Sequence, residues 1–129
     1  MAKKTVVRSE LAPAPFAGAP YSQAIRVGDL VFVSGQIPLR PGSTELVGQT
    51  ITEQTEQIFA NLRAILEAAG SGLDRLVKTT VFLKDLGDFG AMNEVYRKHA
   101  GSEPPARSTV QVVALPAGAL VEIEAVAHL

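Results

Sequence analysis

Cysteine is absent from this 129-residue sequence, which excludes disulfides and any thiolate nucleophile or thiolate metal ligand. Histidine is nearly absent: His99 and His128 stand far apart and form no metal-ligand spacing. Tryptophan is missing, and two Tyr and five Phe leave few rings on which bases could stack. There is no excess of either charge. Twelve Lys and Arg against thirteen Asp and Glu give a formal net charge of -1, with no dense basic block beyond Lys3-Lys4. A nucleic-acid binder usually carries a basic stripe to neutralise phosphates, so none is expected as a partner. No run of about 18 apolar residues exists to span a membrane. The two N-terminal lysines are followed by no apolar segment of signal-peptide length. These absences lead us to expect a soluble, cytoplasmic protein with neither a metal nor a membrane contact.

What is present is apolar bulk. Hydrophobic residues make up 47% of the chain, enough for a real core, and the length suits one domain over residues 1–129. Leu11 to Pro20 is rich in Pro, Ala and Gly and reads as loop. Tyr21 to Val27 and the strand Leu30 to Ser34 flank a Gly28-Asp29 turn, a hairpin pattern. Pro38 to Gly48 is a loop. Thr50-Ile51-Thr52-Glu53 has capping-box spacing, and Ile58, Leu62, Ile65, Leu66 and Ala69 recur at helical intervals up to Gly70, a helix terminator. Leu76 to Leu83 is β-branched and strand-like. Asp88 can cap a helix over Phe89 to His99, with Phe89, Met92, Val95 and Tyr96 on one face, stopped before Pro104-Pro105. Phe59, Leu62, Leu66, Met92 and Val95 are core by default. The order is strand, strand, strand, helix, strand, helix, strand, strand. It predicts an α+β fold, a mixed sheet with two helices packed on one face. The other face needs cover; Val110, Val112, Val121 and Ile123 are candidates for it, and a symmetric oligomer packing sheet faces together would supply it.

The chemistry concentrates near the C-terminus. Pro104-Pro105-Ala106-Arg107-Ser108-Thr109-Val110 opens a strand-like run continuing to Val113. The turn Leu115-Pro116-Ala117-Gly118 and a second run, Val121 to Ala127, follow. On two neighbouring strands, Arg107 would lie near Glu122 and Glu124. An Arg fork matches a carboxylate bidentately, and a carboxylate across the site can handle a proton or a water. A small anionic substrate is one reading; a cross-strand Arg–Glu ion pair is the other.

Five fragments then occur in order: Pro20-Tyr21-Ser22-Gln23-Ala24, Val33-Ser34-Gly35-Gln36-Ile37-Pro38, Val77-Lys78-Thr79-Thr80-Val81-Phe82-Leu83, Pro105-Ala106-Arg107-Ser108 and Glu122-Ile123-Glu124-Ala125. Together they closely resemble the RidA family, also called YjgF, the reactive intermediate deaminases. The resemblance covers nearly the whole chain from Tyr21 onward. It implies a chorismate-mutase-like α+β fold, a homotrimer with pockets between subunits, and hydrolysis of enamine and imine acids such as 2-aminoacrylate and 2-iminobutanoate. The products would be a 2-keto acid and ammonia, with no cofactor and no metal. Residue by residue, Arg107 matches the arginine that holds the substrate carboxylate and Glu122 the acid near the attacking water. Tyr21 matches the pocket tyrosine, Ser34 the serine of the Ser-Gly-Gln segment, and Asn93 a pocket-side asparagine. Thr109 falls where many relatives have cysteine, with its backbone facing the substrate. Three departures concern the pocket rim: Ala19 replaces a glycine common before Pro-Tyr, Pro13 to Gly18 is longer than usual, and His99 to Pro105 is short.

Each residue also has a plainer role open to it. Tyr21 suits a half-buried aromatic with a wet hydroxyl, Ser34 a turn after a strand, Asn93 a solvent-facing helix position, and the two glutamates an ion-pair network. At the level of function, the alternative to a deaminase is a binding module holding a 2-keto acid. RNA cleavage or translation inhibition, also attached to family members, is disfavoured by the charge balance.

Overall fold

The computed structural model describes residues 3–129. Its long helix, α1 (Ile51–Ala68), starts as the sequence predicts: the Thr50 hydroxyl accepts from the Glu53 N–H at 3.2 Å. The Glu53 side chain answers by accepting from the Thr50 hydroxyl at 2.9 Å, which holds its carboxyl below the usual carboxylate range. The helix ends in a Schellman motif. Gly70, at φ 86°, donates to Glu67, and Ser71 reaches back to the Leu66 carbonyl at 2.8 Å. Ile58, Phe59, Leu62, Ile65 and Leu66 form the fully buried stripe of α1.

The strands are β1 (Thr5–Val7), β2 (Ala24–Val27), β3 (Leu30–Gln36), β4 (Leu76–Leu83), β5 (Ala106–Gln111) and β6 (Val121–His128), and the second helix is α2 (Phe89–Ala100). They form one six-stranded sheet in the order β1-β2-β3-β6-β4-β5. All pairings are antiparallel except β4 with β5, which is parallel because α2 carries the chain across between them. Gly28, at φ 57°, makes the β2–β3 turn. The entry to α2 differs from expectation: Asp88 makes no capping bond. Asp85 instead accepts from Gly87 and nucleates a short 3-10 turn, Leu86–Asp88, that feeds the helix.

The two C-terminal strands are not neighbours. β6 crosses to lie between β3 and β4, and β5 is left at the edge. The residue pattern accounts for this. β6 buries Val121, Ile123, Ala125 and Ala127 and is best placed centrally, whereas β5, with Arg107, Ser108 and Gln111, tolerates an edge.

Both helices pack on one face. That face receives Ala24, Val31, Val33, Thr79, Val81, Leu83 and the four buried β6 side chains, against α1 and the Met92, Val95 and Tyr96 stripe of α2. Val121 and Ile123 therefore belong to the helix-covered core and do not cover the opposite face, because their strand parity is that of Val81 and Leu83. Val112 lies beyond the end of β5. Val110 does lie on the opposite face, with Val6, Ile25, Phe32, Phe82 and Val126. Val6, Phe32 and Val110 are 45%, 44% and 43% exposed in the single chain, so this face carries uncovered apolar side chains beside the polar ones of β4 and β6.

Candidate functional site

Two clusters of polar groups face opposite sides of the sheet. The first gathers on the helix side of edge strand β5. Register pairs Arg107 with Thr79 and Thr109 with Val81, so both side chains lean toward α2. The Arg107 guanidinium lies 4.7 Å from the Tyr96 ring centre and 5.4 Å from that of Phe89. Tyr96 is itself fixed. Its hydroxyl shares a 2.6 Å hydrogen bond with Thr79, its ring meets Phe59 edge-on, and burial raises its phenol. No carboxylate among the described residues pairs with Arg107; the ion pairs there join Arg97 to Glu94, and Lys98 and His99 to Glu56. Two buried polar atoms on this side have no partner among the described residues: Asn93 Oδ1, on α2, and Thr109 Oγ1, two residues along β5 from Arg107. A buried unpartnered polar atom is costly unless a ligand supplies the missing bond. Asn93 and Arg107 line a shallow cleft of about 330 Å³ with Gly101, Pro104 and Pro105, so the short segment after α2 forms its rim.

The second cluster lies on the opposite face, around β6. Glu122 and Glu124 project to that face, two residues apart. They line a cleft of about 500 Å³ with Phe16, Ala19, Tyr21, Ser34, Gly35, Ile37 and Pro116. Burial pushes the Glu122 carboxyl above its ordinary range, and the nearby Glu124 charge pushes it further. The β3–β6 register slips between Val33 and Gln36, and Glu122 packs against the backbone at this irregularity. A Cβ at Gly35 would overlap its carboxylate. The Ser34 hydroxyl donates to the Ser22 carbonyl at 2.6 Å, and the Ser34 N–H to Gln23 at 2.9 Å, so Ser34 ties the Tyr21 segment to β3. Tyr21 is 42% exposed, and its hydroxyl accepts from the Phe16 N–H at 2.6 Å.

The sequence suggests one site; the fold makes two separate clusters. Arg107, Asn93 and Thr109 come together, as do Glu122, Tyr21 and Ser34. Strand β4 separates the clusters by two strand spacings, about 10 Å, and they face opposite sides. The expected adjacency of Arg107 and Glu122 on neighbouring strands is thus corrected: within one chain they neither pair nor share a pocket. Four contributors were not singled out. Phe89 and Tyr96 read in the sequence only as members of one face of α2; Phe89 is 42% exposed, Tyr96 is buried, and both rings flank Arg107. Gly35 was in view within Ser34-Gly35-Gln36 but not its reason. Asn61, buried in α1, donates to the Leu39 carbonyl at 2.9 Å and anchors the chain just after the Glu122 cleft. A polar residue inside an apolar helical stripe was the available signal for it. Among the described residues no group of three or more His, Cys, Asp or Glu could hold a metal, and no helix is long and apolar enough to cross a membrane.

Comparison with known proteins follows the same outline. The family model described as endoribonuclease L-PSP matches residues 11–129. A RutC family protein of Pyrococcus abyssi is 50% identical over 125 residues, 97% of each chain. The 2-iminobutanoate/2-iminopropanoate deaminase of Mus musculus is 47% identical over 114 residues, 88% of this chain and 84% of that one. Among solved structures, E. coli TdcF with bound serine superimposes with a TM-score of 0.88 at 37% identity, over 97% of this chain and 98% of that one.

Proposed function

Because the chain belongs to the RidA (YjgF) family, the one described by the endoribonuclease L-PSP model, we propose that it is a hydrolytic deaminase of small 2-imino acids, 2-aminoacrylate and 2-iminobutanoate among them. The observation that carries this reading is the Arg107 guanidinium, without a counter-ion among the described residues, held on two aromatic rings on the same side as two unpartnered buried polar atoms. Such a group is suited to bind a small carboxylate. Two printed names support the same class: a relative called an imine deaminase, and a structural neighbour carrying serine, itself a small amino acid.

The clusters on opposite faces imply that the site closes between copies. We place Arg107, Asn93 and Thr109 of one copy against the Glu122 cleft of the next, in a homotrimer that also buries the uncovered apolar side chains of the sheet. Arg107 takes the substrate carboxylate bidentately, and the Thr109 hydroxyl can donate to it. The Asn93 amide can serve the imine nitrogen. The carboxylate anchor orients the neighbouring C=N carbon. An enamine first tautomerises to the imine. Water then adds to that carbon, its oxygen forming the new C–O bond while Glu122 takes its proton. As the C=N π bond opens, Glu122 returns that proton to nitrogen and gives the carbinolamine. It then moves the hydroxyl proton to the amino group. The C–N bond breaks with its electron pair going to nitrogen as the C=O forms, and ammonia leaves a 2-keto acid. A carboxyl raised above its ordinary range is better matched to this exchange than a freely solvated one.

The test is keto-acid release from serine or threonine in the presence of a suitable dehydratase, with and without this protein. Acceleration with either substrate is expected. Binding of a 2-keto acid without any acceleration would replace the enzyme with a binding module. The name of the family model also raises RNA cleavage. With a net charge of -1 and no basic stripe, we expect negligible, salt-insensitive RNA binding.

A further inference from the structure

Resting on the deaminase reading, we infer that the loop Phe16–Gly18 determines both the proton orientation of Tyr21 and the substrate side chain accepted, favouring imino acids with an aliphatic side chain larger than methyl. An amide can only donate, so the 2.6 Å bond from the Phe16 N–H makes the Tyr21 hydroxyl an acceptor there. Its own proton has no partner among the described residues and is free for the cleft it lines with Glu122. Tyr21 thereby becomes a donor to whatever occupies that cleft. The Phe16 side chain supplies the second effect. It packs on the small cluster of Ile37, Leu39 and Ala119, and with Ala19, Ile37 and Pro116 forms an apolar wall of the cleft. A wall of this kind rewards an aliphatic side chain and does little for a methyl group.

The loop is held for this purpose. Ala17 has φ 55° and Gly18 φ 67°, a left-handed pair that is strained at the non-glycine position. A twin stands on the other rim: in Pro116–Gly118, Ala117 has φ 59° and Gly118 φ 74°. The twin has proline where the first loop has Phe16. Pro15, at φ -49° and ψ 128°, already has the conformation required of a residue that precedes proline. Phe16→Pro therefore keeps the loop while deleting the amide donor and the ring; Phe16→Ala deletes the ring alone.

The experiment generates imines in place from leucine and from alanine with an amino-acid oxidase, and measures how far the protein suppresses their trapping by semicarbazide. The wild-type protein should prefer the leucine-derived imine in kcat/KM by about tenfold or more, the usual worth of a well-filled apolar subsite. Phe16→Ala should abolish that preference, and Phe16→Leu should retain most of it. Phe16→Pro should reduce kcat on the alanine-derived imine below the Phe16→Ala value, because Tyr21 is then released. Preference unchanged in Phe16→Ala, or identical kcat in Phe16→Ala and Phe16→Pro, overturns the inference while leaving the deaminase reading in place. Wild-type protein inactive on both imines removes the deaminase reading, and this one with it.

Discussion

Arg107 and Glu122 carry opposite electrostatic burdens. The guanidinium is charged, stacked on rings and without a counter-ion among the described residues; the carboxylate is largely buried near a second carboxylate. Arg107→Ala should weaken 2-keto acid binding by about 2–5 kcal/mol, the usual cost of losing one partner of a desolvated charge pair. Arg107→Lys should restore only part, because an ammonium lacks the planar fork. Calorimetric titration of the two variants checks this, and wild-type affinity in the alanine variant would refute the anchor. Glu122→Gln should reduce turnover by roughly 10²–10⁴-fold, the range of a positioned acid or base. It also has a stability signature. The folded state raises the Glu122 carboxyl, so its protonated form is favoured by folding, and that stability is present at low pH and lost as pH rises through the raised value. At pH 7 the Gln variant should thus melt above wild type, with the gap closing on acidification. Glu124→Gln, which removes the lesser cause of the shift, should lower the acidic limb of the activity profile with a much smaller loss of turnover. Equal turnover losses in the two variants would mean that the proton carrier has been misassigned between them.

At the scale of elements, the β3–β6 irregularity positions the acid. Gly35 is required there for close approach: a methyl at this position would meet the Glu122 carboxylate. The obstructed atoms are the far end of a flexible side chain, so the fold can yield by displacing that end. Gly35→Ala should leave the melting curve close to wild type yet cost on the order of 10²-fold in activity, the effect of a displacement near 1 Å at a reacting group. A folded Gly35→Ala protein with full activity would show that Glu122 need not occupy its present place. The same slip shows how much a sequence pattern could carry. The sequence pattern ends the strand at Ser34; it runs on to Gln36 because the irregularity absorbs one unpaired step. The helices were more legible, since capping and a 3.6-residue apolar period are local signals.

At the scale of the molecule, one sheet face is covered and the other is not. Val6, Ile25, Phe32, Phe82, Val110 and Val126 form a surface that a second copy can bury. Light scattering at micromolar concentration should give three times the 13.6 kDa chain mass. Phe32→Lys and Val110→Lys together should shift the protein toward monomer and abolish activity, since each copy holds only half of the groups. A fully active monomer would sink both the trimer and the shared site.

The two helices, their apolar stripes and the strands from β2 onward are legible in the sequence, because capping, strand alternation and chain punctuation act within a few residues; the short β1 and the core role of Val121 and Ile123 are not. The sequence also singled out Arg107, Glu122, Tyr21, Ser34, Asn93 and Thr109. It did not determine how these combine. The turn Leu115-Pro116-Ala117-Gly118 reads as a link between adjacent strands, yet β6 passes to the centre of the sheet, where its four buried side chains exclude more water than an edge would. That pairing is long-range, and no local pattern encodes it. Long-range packing sets Arg107 and Glu122 on opposite sides, stacks the guanidinium on Tyr96 and Phe89, and joins Phe16 to the Tyr21 hydroxyl. Each depends on which strands become neighbours and which face each residue then presents.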